Sequence, residues 1–116
     1  MESGRLGAAA RAAILDPDND VYVSAASVWE VGLKHEIGKL ALPVPLSAFV
    51  AAQTGPGIAE VLDVTASHAI AAAALPRHHR DPFDRMLLAQ AQVEDLTLVT
   101  VDEALRPYGV PLLWAT

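Results

Sequence analysis

The run His78-His79-Arg80-Asp81-Pro82-Phe83-Asp84-Arg85-Met86-Leu87-Leu88-Ala89-Gln90-Ala91 gathers two carboxylates and several basic side chains at one predicted helix start. Asp81 has the chemistry of an N-cap and Pro82 that of a first helical residue. Asp84 then falls in the first turn, where backbone N–H groups and the positive end of the helix dipole favour an acid. Two more acids hold comparable places: Glu30 on a helix after a short apolar strand, and Asp102 just after a strand ending at Thr100. In parallel α/β sheets, ligand sites lie beyond the carboxyl ends of the strands. A helix that feeds a strand starts at that same face, so Glu30, Asp84 and Asp102 can converge there. Converging carboxylates repel one another unless a cation neutralises them, and hard oxygen ligands suit Mg2+ or Mn2+. Such ions activate water and stabilise in-line displacement at phosphate.

Each acid also has a plainly structural use. Glu30 can complete a capping box with Ser27, Asp84 can serve the helix dipole alone, and Asp102 can be an N-cap. What favours a site is that all three fall at one end of one sheet. His78-His79 lacks the i,i+4 helical spacing of a zinc pair and reads as a solvated loop. Arg80 and Arg85, with the two histidines, could contact phosphate, although a solvated loop rim is the simpler use. Asp16, Asp18 and Asp20 resemble the start of a calcium loop, but the glycine and glutamate that should come next are missing. Trp29 and Phe83, which flank the acids, read as core, and Trp114 reads as core or a dimer contact.

The elements that must position these residues alternate in type. A helix is expected over residues 6–15, ended by Asp16-Pro17, and a short buried-type strand over 21–23. A helix over 24–37 comes next, closed by Gly38, with Ser24 and Ser27 equally good caps. A short helix over 46–53 stops at Gly55-Pro56-Gly57, and 58–62 is a weaker strand. Thr65 can cap a helix through Ala74, and the helix from Pro82 runs to about Val93. Residues 96–100 form the clearest strand. Asp102 can cap a short helix to Tyr108, Gly109 ends it, and a last strand spans 110–114. Strands alternating with helices imply a parallel sheet with helices on both faces.

Composition narrows the function classes. A chain of 116 residues reads as one domain, 1–116, and 53% hydrophobic residues support a real core. With no cysteine, disulfides and Cys-ligated zinc or iron–sulfur centres are excluded, and a reducing compartment fits. No apolar run approaches the ~20 residues that span a bilayer, and the opening Met-Glu-Ser-Gly-Arg-Leu-Gly has no signal-peptide pattern, so a cytoplasmic protein is expected. Net charge is −6, from 8 Lys+Arg against 14 Asp+Glu, so bulk electrostatics repels nucleic acid. A nucleic-acid role then needs bound cations and a local basic patch, which Arg77, His78, His79, Arg80 and Arg85 could form. A phosphoacceptor receiver domain has similar acids at strand ends but needs a lysine from a late strand, and the lysines here are Lys34 and Lys39.

The segment Val21-Tyr22-Val23-Ser24-Ala25-Ala26-Ser27-Val28-Trp29-Glu30 with Gly38-Lys39-Leu40 resembles the first half of a PIN domain of the VapC toxin type. Asp81-Pro82-Phe83-Asp84-Arg85-Met86-Leu87-Leu88-Ala89 and Leu98-Val99-Thr100-Val101-Asp102 resemble its second half, in the right order. The resemblance implies a three-layer α/β/α fold with a parallel sheet. It also implies a Mg2+- or Mn2+-dependent endoribonuclease that is a homodimer acting on RNA, in a bacterial cytoplasm, inhibited by a VapB-type antitoxin. By position, Glu30, Asp84 and Asp102 match three of the family's four metal-site acids. The fourth belongs at the end of an opening central strand, in a pattern like Leu-Leu-Asp-Thr. This sequence has no such strand, and residues 6–14 match the part of the family pattern just after it; Glu2 is no substitute, since no apolar strand precedes it. Two origins are consistent with the gap: a misassigned start or truncated chain, and a real short form. On the second, the chain is an impaired enzyme or a catalytically inactive interaction module that binds an antitoxin or a partner chain.

Overall fold

The structure is a computed structural model that describes residues 8–115. The expected start of the first helix at residue 6, and the readings of Glu2 and its neighbours, lie outside the described residues. The chain forms two compact units. One is Asp20–Val64; the other joins the described residues up to Asn19 to those from Thr65 onward.

The Asp20–Val64 unit runs β1 (Tyr22–Ser24), α2 (Ala25–Glu36), α3 (Leu46–Gln53) and β2 (Glu60–Leu62). β1 and β2 pair in parallel, Tyr22 against Glu60 and Ser24 against Leu62. Of the two serine caps the sequence offers, Ser24 is the one used: its Oγ accepts the Ala26 N–H at 3.1 Å, and Ser27 lies within the helix. α2 ends in a Schellman turn. Gly38 takes φ 79°, its N–H bonds to the His35 carbonyl, and the Lys39 N–H reaches the Lys34 carbonyl at 2.9 Å. Two expectations of burial fail in this unit. Trp29 is 64% exposed and Tyr22 39% exposed. Position relative to an apolar pattern cannot tell which side of a short strand or helix meets a neighbour, and a three-residue strand covers little.

The second unit holds α1 (Ala8–Leu15), α4 (Ala66–Ala74), α5 (Pro82–Glu94), β3 (Leu98–Thr100), a 3₁₀ helix (Glu103–Tyr108) and β4 (Leu112–Trp114). Its core joins Leu75, Leu88, Ala89, Ala91, Leu105, Tyr108 and Val110. α5 supplies Leu88, Ala89 and Ala91, and α4 packs along it. α4 starts in a capping box with histidine in the place usual for glutamate. The Thr65 Oγ1 accepts the His68 N–H, and the Thr65 N–H donates to His68 Nδ1 at 3.0 Å. Because Nδ1 is the acceptor there, Nε2 carries the proton, which it donates to Glu94 at 2.8 Å. A fully buried imidazole thereby joins the start of α4 to the end of α5.

β3 and β4 pair in parallel, Leu98 against Leu112 and Thr100 against Trp114. Both are shorter than the expected 96–100 and 110–114. The Leu96 N–H is taken by the Ala91 carbonyl at 2.8 Å as α5 closes, and Pro111 has no N–H to give, although its carbonyl accepts the Leu98 N–H. Among the described residues the strands make two separate two-stranded parallel ladders, β1–β2 and β3–β4. The mixed α/β class with parallel strands matches the expectation. Trp114 is partly buried and lies under the Arg106 guanidinium, 4.5 Å from its ring centre.

α5 ends at Asp95, which takes a left-handed φ of 55° and sends its N–H to the Ala91 carbonyl. A side chain in this conformation is strained, and its negative charge sits at the negative end of the helix dipole. Replacing Asp95 with glycine should raise the free energy of unfolding by about 0.5–1 kcal/mol, read by urea denaturation. An unchanged or lower midpoint would count against the strain.

Candidate metal centre

Asp81 does what its position predicts. Its Oδ1 accepts the N–H groups of Phe83 at 2.8 Å and Asp84 at 3.2 Å, and Pro82 opens the helix. With the cap duty met by Asp81, the Asp84 carboxylate is released for another use. It lies partly buried in the first turn of α5, and its Oδ2 is 2.8 Å from His79 Nε2. Asp102 divides its two oxygens. Oδ1 accepts the Ala104 N–H at 2.9 Å and caps the 3₁₀ helix, while Oδ2 lies 3.6 Å from the same His79 nitrogen. Asp102 is itself held by a bond from its N–H to Thr100 Oγ1. The capping bond therefore leaves the second oxygen of Asp102 free to face His79.

His79, Asp84 and Asp102 thus each present one ligand atom, and these atoms lie within 4.8 Å of one another. His79 is the member that sequence reasoning placed in a solvated loop. No local signal says which of two adjacent loop histidines turns to the acids. His79 turns to the acids and is 20% exposed, whereas His78 packs edge-on against the Tyr108 ring at 5.3 Å.

Arg85, offered by the sequence as a phosphate contact, is engaged elsewhere. Its Nη2 donates to the carbonyls of Ala72 at 2.9 Å and Leu75 at 3.0 Å. Its Nη1 donates to the carbonyls of Pro76 at 2.9 Å and His79 at 3.3 Å, and reaches the Tyr108 hydroxyl at 3.5 Å. Both terminal nitrogens therefore bind protein oxygens and fasten the end of α4 and the loop carrying His79 onto α5. Arg80 is exposed in that loop. Glu30 belongs to the other unit, where its carboxylate pairs with Lys34 at 3.0 Å one helical turn on. Within one unit the structure brings together Asp84, Asp102 and His79, and Glu30 is not among them.

The electrostatics of Asp84 are those of a site wanting positive charge. Its pKa is raised above the ordinary 3.8, chiefly by desolvation on burial, with the charges of Asp81 and Asp102 adding; the hydrogen bond from His79 and its charge pull the other way. Two carboxylates facing each other with an imidazole between them, one held in a partly dehydrated place, form a donor set that fits a divalent cation.

An α/β chain with parallel strands and aspartates gathered at a helix start and just past a strand end belongs to the class of acid-centred α/β domains. The PIN domain family profile matches residues 2–110, and the chain belongs to that family. It is similar to Ribonuclease VapC16 of Mycobacterium tuberculosis (strain ATCC 25618 / H37Rv), 40% identical over 40 residues. That match covers 34% of this chain and 28% of the relative's length.

The geometry has two measurable consequences. Lysine cannot reproduce the fork of Arg85, so Arg85→Lys takes donors from the Leu75 and His79 carbonyls in particular and should lower stability by about 2–3 kcal/mol in urea denaturation. An unchanged midpoint would show that the clamp contributes nothing. For Asp84, the folded chain holds the proton more tightly than the unfolded one, so stability falls as pH rises from about 3.8 through the raised folded pKa. In metal-free chain, Asp84→Asn should remove that fall and leave the variant more stable than the parent at neutral pH, as thermal melts across pH would show.

Proposed function

We propose that this chain is a Mg2+- or Mn2+-dependent endoribonuclease of the VapC toxin type, with Asp84 and Asp102 as metal ligands and Glu30 as the further acid that the family pattern supplies. The observation that carries this is the approach of the Asp84 and Asp102 side-chain oxygens to a common point. Family membership and the ribonuclease named among its relatives support the reaction class. A bound cation supplies Lewis-acid stabilisation of the phosphate and a nucleophile from water at neutral pH. The chain's own residues do the rest. Asp81 holds the main chain of Asp84 by accepting its N–H, and the Ala104 N–H holds one carboxylate oxygen of Asp102. The Arg85 clamp holds the loop 75–81 beside them. Arg80, exposed in that loop, is the residue to which this reading gives an RNA phosphate. With a net charge of −6, the chain draws a polyanion only where a cation and this basic rim offset its charge.

The same reading makes the partners an RNA substrate, a VapB-type antitoxin and a second copy of the chain, in the bacterial cytoplasm. Among the described residues no helix is long and apolar enough to cross a membrane.

The test is cleavage of a mixed RNA pool by the purified chain with Mg2+, Mn2+ or chelator. Cleavage should require the metal and fall by at least about 100-fold in Asp84→Asn and in Asp102→Asn. Cleavage that persists in chelator, or in both variants, would overturn the metal-dependent reading. Antitoxin binding with no cleavage under any metal would favour the interaction module instead.

A further inference from the structure

We propose that His79 is itself a ligand of the cation, through Nε2, so that the centre contains one nitrogen and binds Mn2+ in preference to Mg2+. The inference rests on the metal-centre reading above and adds a residue and a metal preference to it. One ring nitrogen faces both acids, 2.8 Å from Asp84 Oδ2 and 3.6 Å from Asp102 Oδ2, and so lies where an ion bridging those oxygens would be contacted. The three ligand atoms lie within 4.8 Å of one another, close enough to surround a single ion. The loop does not leave the ring free to choose this place. The His79 carbonyl is held by Arg85, Asp81 two residues on caps α5, and His78 is turned to Tyr108.

The chemistry of exchange is simple. In the metal-free arrangement Nε2 carries a hydrogen and donates it to Asp84, because a carboxylate oxygen can only accept. A cation held there would take the Nε2 lone pair in place of that hydrogen, which would pass to solvent, with the ring still facing the same two acids. Mg2+ takes oxygen ligands and keeps its waters, whereas an imidazole nitrogen suits transition metals. A centre of two carboxylates and one imidazole therefore discriminates between the two ions in a way that carboxylates alone do not.

The competing behaviour is that His79 only occupies the site and swings away when the ion arrives. Electron spin-echo envelope spectra of the full chain loaded with Mn2+ separate the two. A directly bound ring shows 14N modulation, lost in His79→Gln and kept in His78→Gln. Mn2+ affinity, followed by titration, should fall by at least about tenfold in His79→Gln, while Mg2+ affinity should change by less than about threefold. Absence of 14N modulation in the parent chain overturns the proposal and needs no variant to fold; so does modulation lost in His78→Gln but not in His79→Gln. If Asp84→Asn weakens Mn2+ binding and the parent shows no nitrogen, only the role of His79 fails. If Asp84→Asn leaves Mn2+ affinity unchanged, the metal-centre reading fails with it.

Discussion

The guanidinium of Arg85 is the interaction on which the site depends. It comes directly after Asp84 on α5 and binds carbonyls from Ala72 to His79 together with the Tyr108 hydroxyl. Those carbonyls belong to the end of α4 and the loop after it, where main-chain groups have no helical partner. A planar fork with donors on two nitrogens can satisfy several of them at once. The Tyr108 hydroxyl donates to the Pro76 carbonyl at 2.8 Å, so the same loop is also tied to the 3₁₀ helix that Asp102 caps. One cation with a fixed shape thus links the three elements that carry His79, Asp84 and Asp102.

Around that clamp the caps are distributed so that the acids are held but not exhausted. Asp81 takes the N–H of Asp84, and one oxygen of Asp102 takes the N–H of Ala104. Oδ2 of Asp84 and Oδ2 of Asp102 remain directed at His79. Burial raises the cost of the Asp84 charge, and the neighbouring aspartates raise it further. A fold selected for stability alone would gain by making that position neutral. Retaining a partly dehydrated acid beside two others is consistent with a site whose compensating charge comes from outside the chain.

His68 offers a contrast in the same unit. It is completely buried, accepts from Thr65, donates to Glu94 and lies between α4 and α5. Its partners give each ring nitrogen a settled role, and its duty is to join two helices. His79 has one nitrogen shared between two acids and stands at the edge of solvent. Two histidines of one composition are therefore set to different tasks by the number and charge of the groups around them.

Much was legible in the residues themselves. Local chemistry settles where helices begin and end: Ser24, Thr65, Asp81 and Asp102 are all caps, and Gly38 and Gly109 close elements with positive φ. These signals act over a few residues, so the sequence contains them whole. The pairing of Asp84 with Asp102 was also foreseeable, because Asp84 starts the helix that feeds the strand Asp102 follows. The rest depended on neighbours distant in the chain. Nothing local says that His79 turns inward and His78 to Tyr108, that Arg85 meets carbonyls up to 13 residues before it, or that Trp29 stays 64% exposed. By itself the sequence determined the helix caps, the family motifs and the candidate acids. Only the tertiary structure decided which side chains share the site, because a side chain's partners are set by the packing of whole elements, and apolar periodicity specifies a buried face without naming what lies across from it.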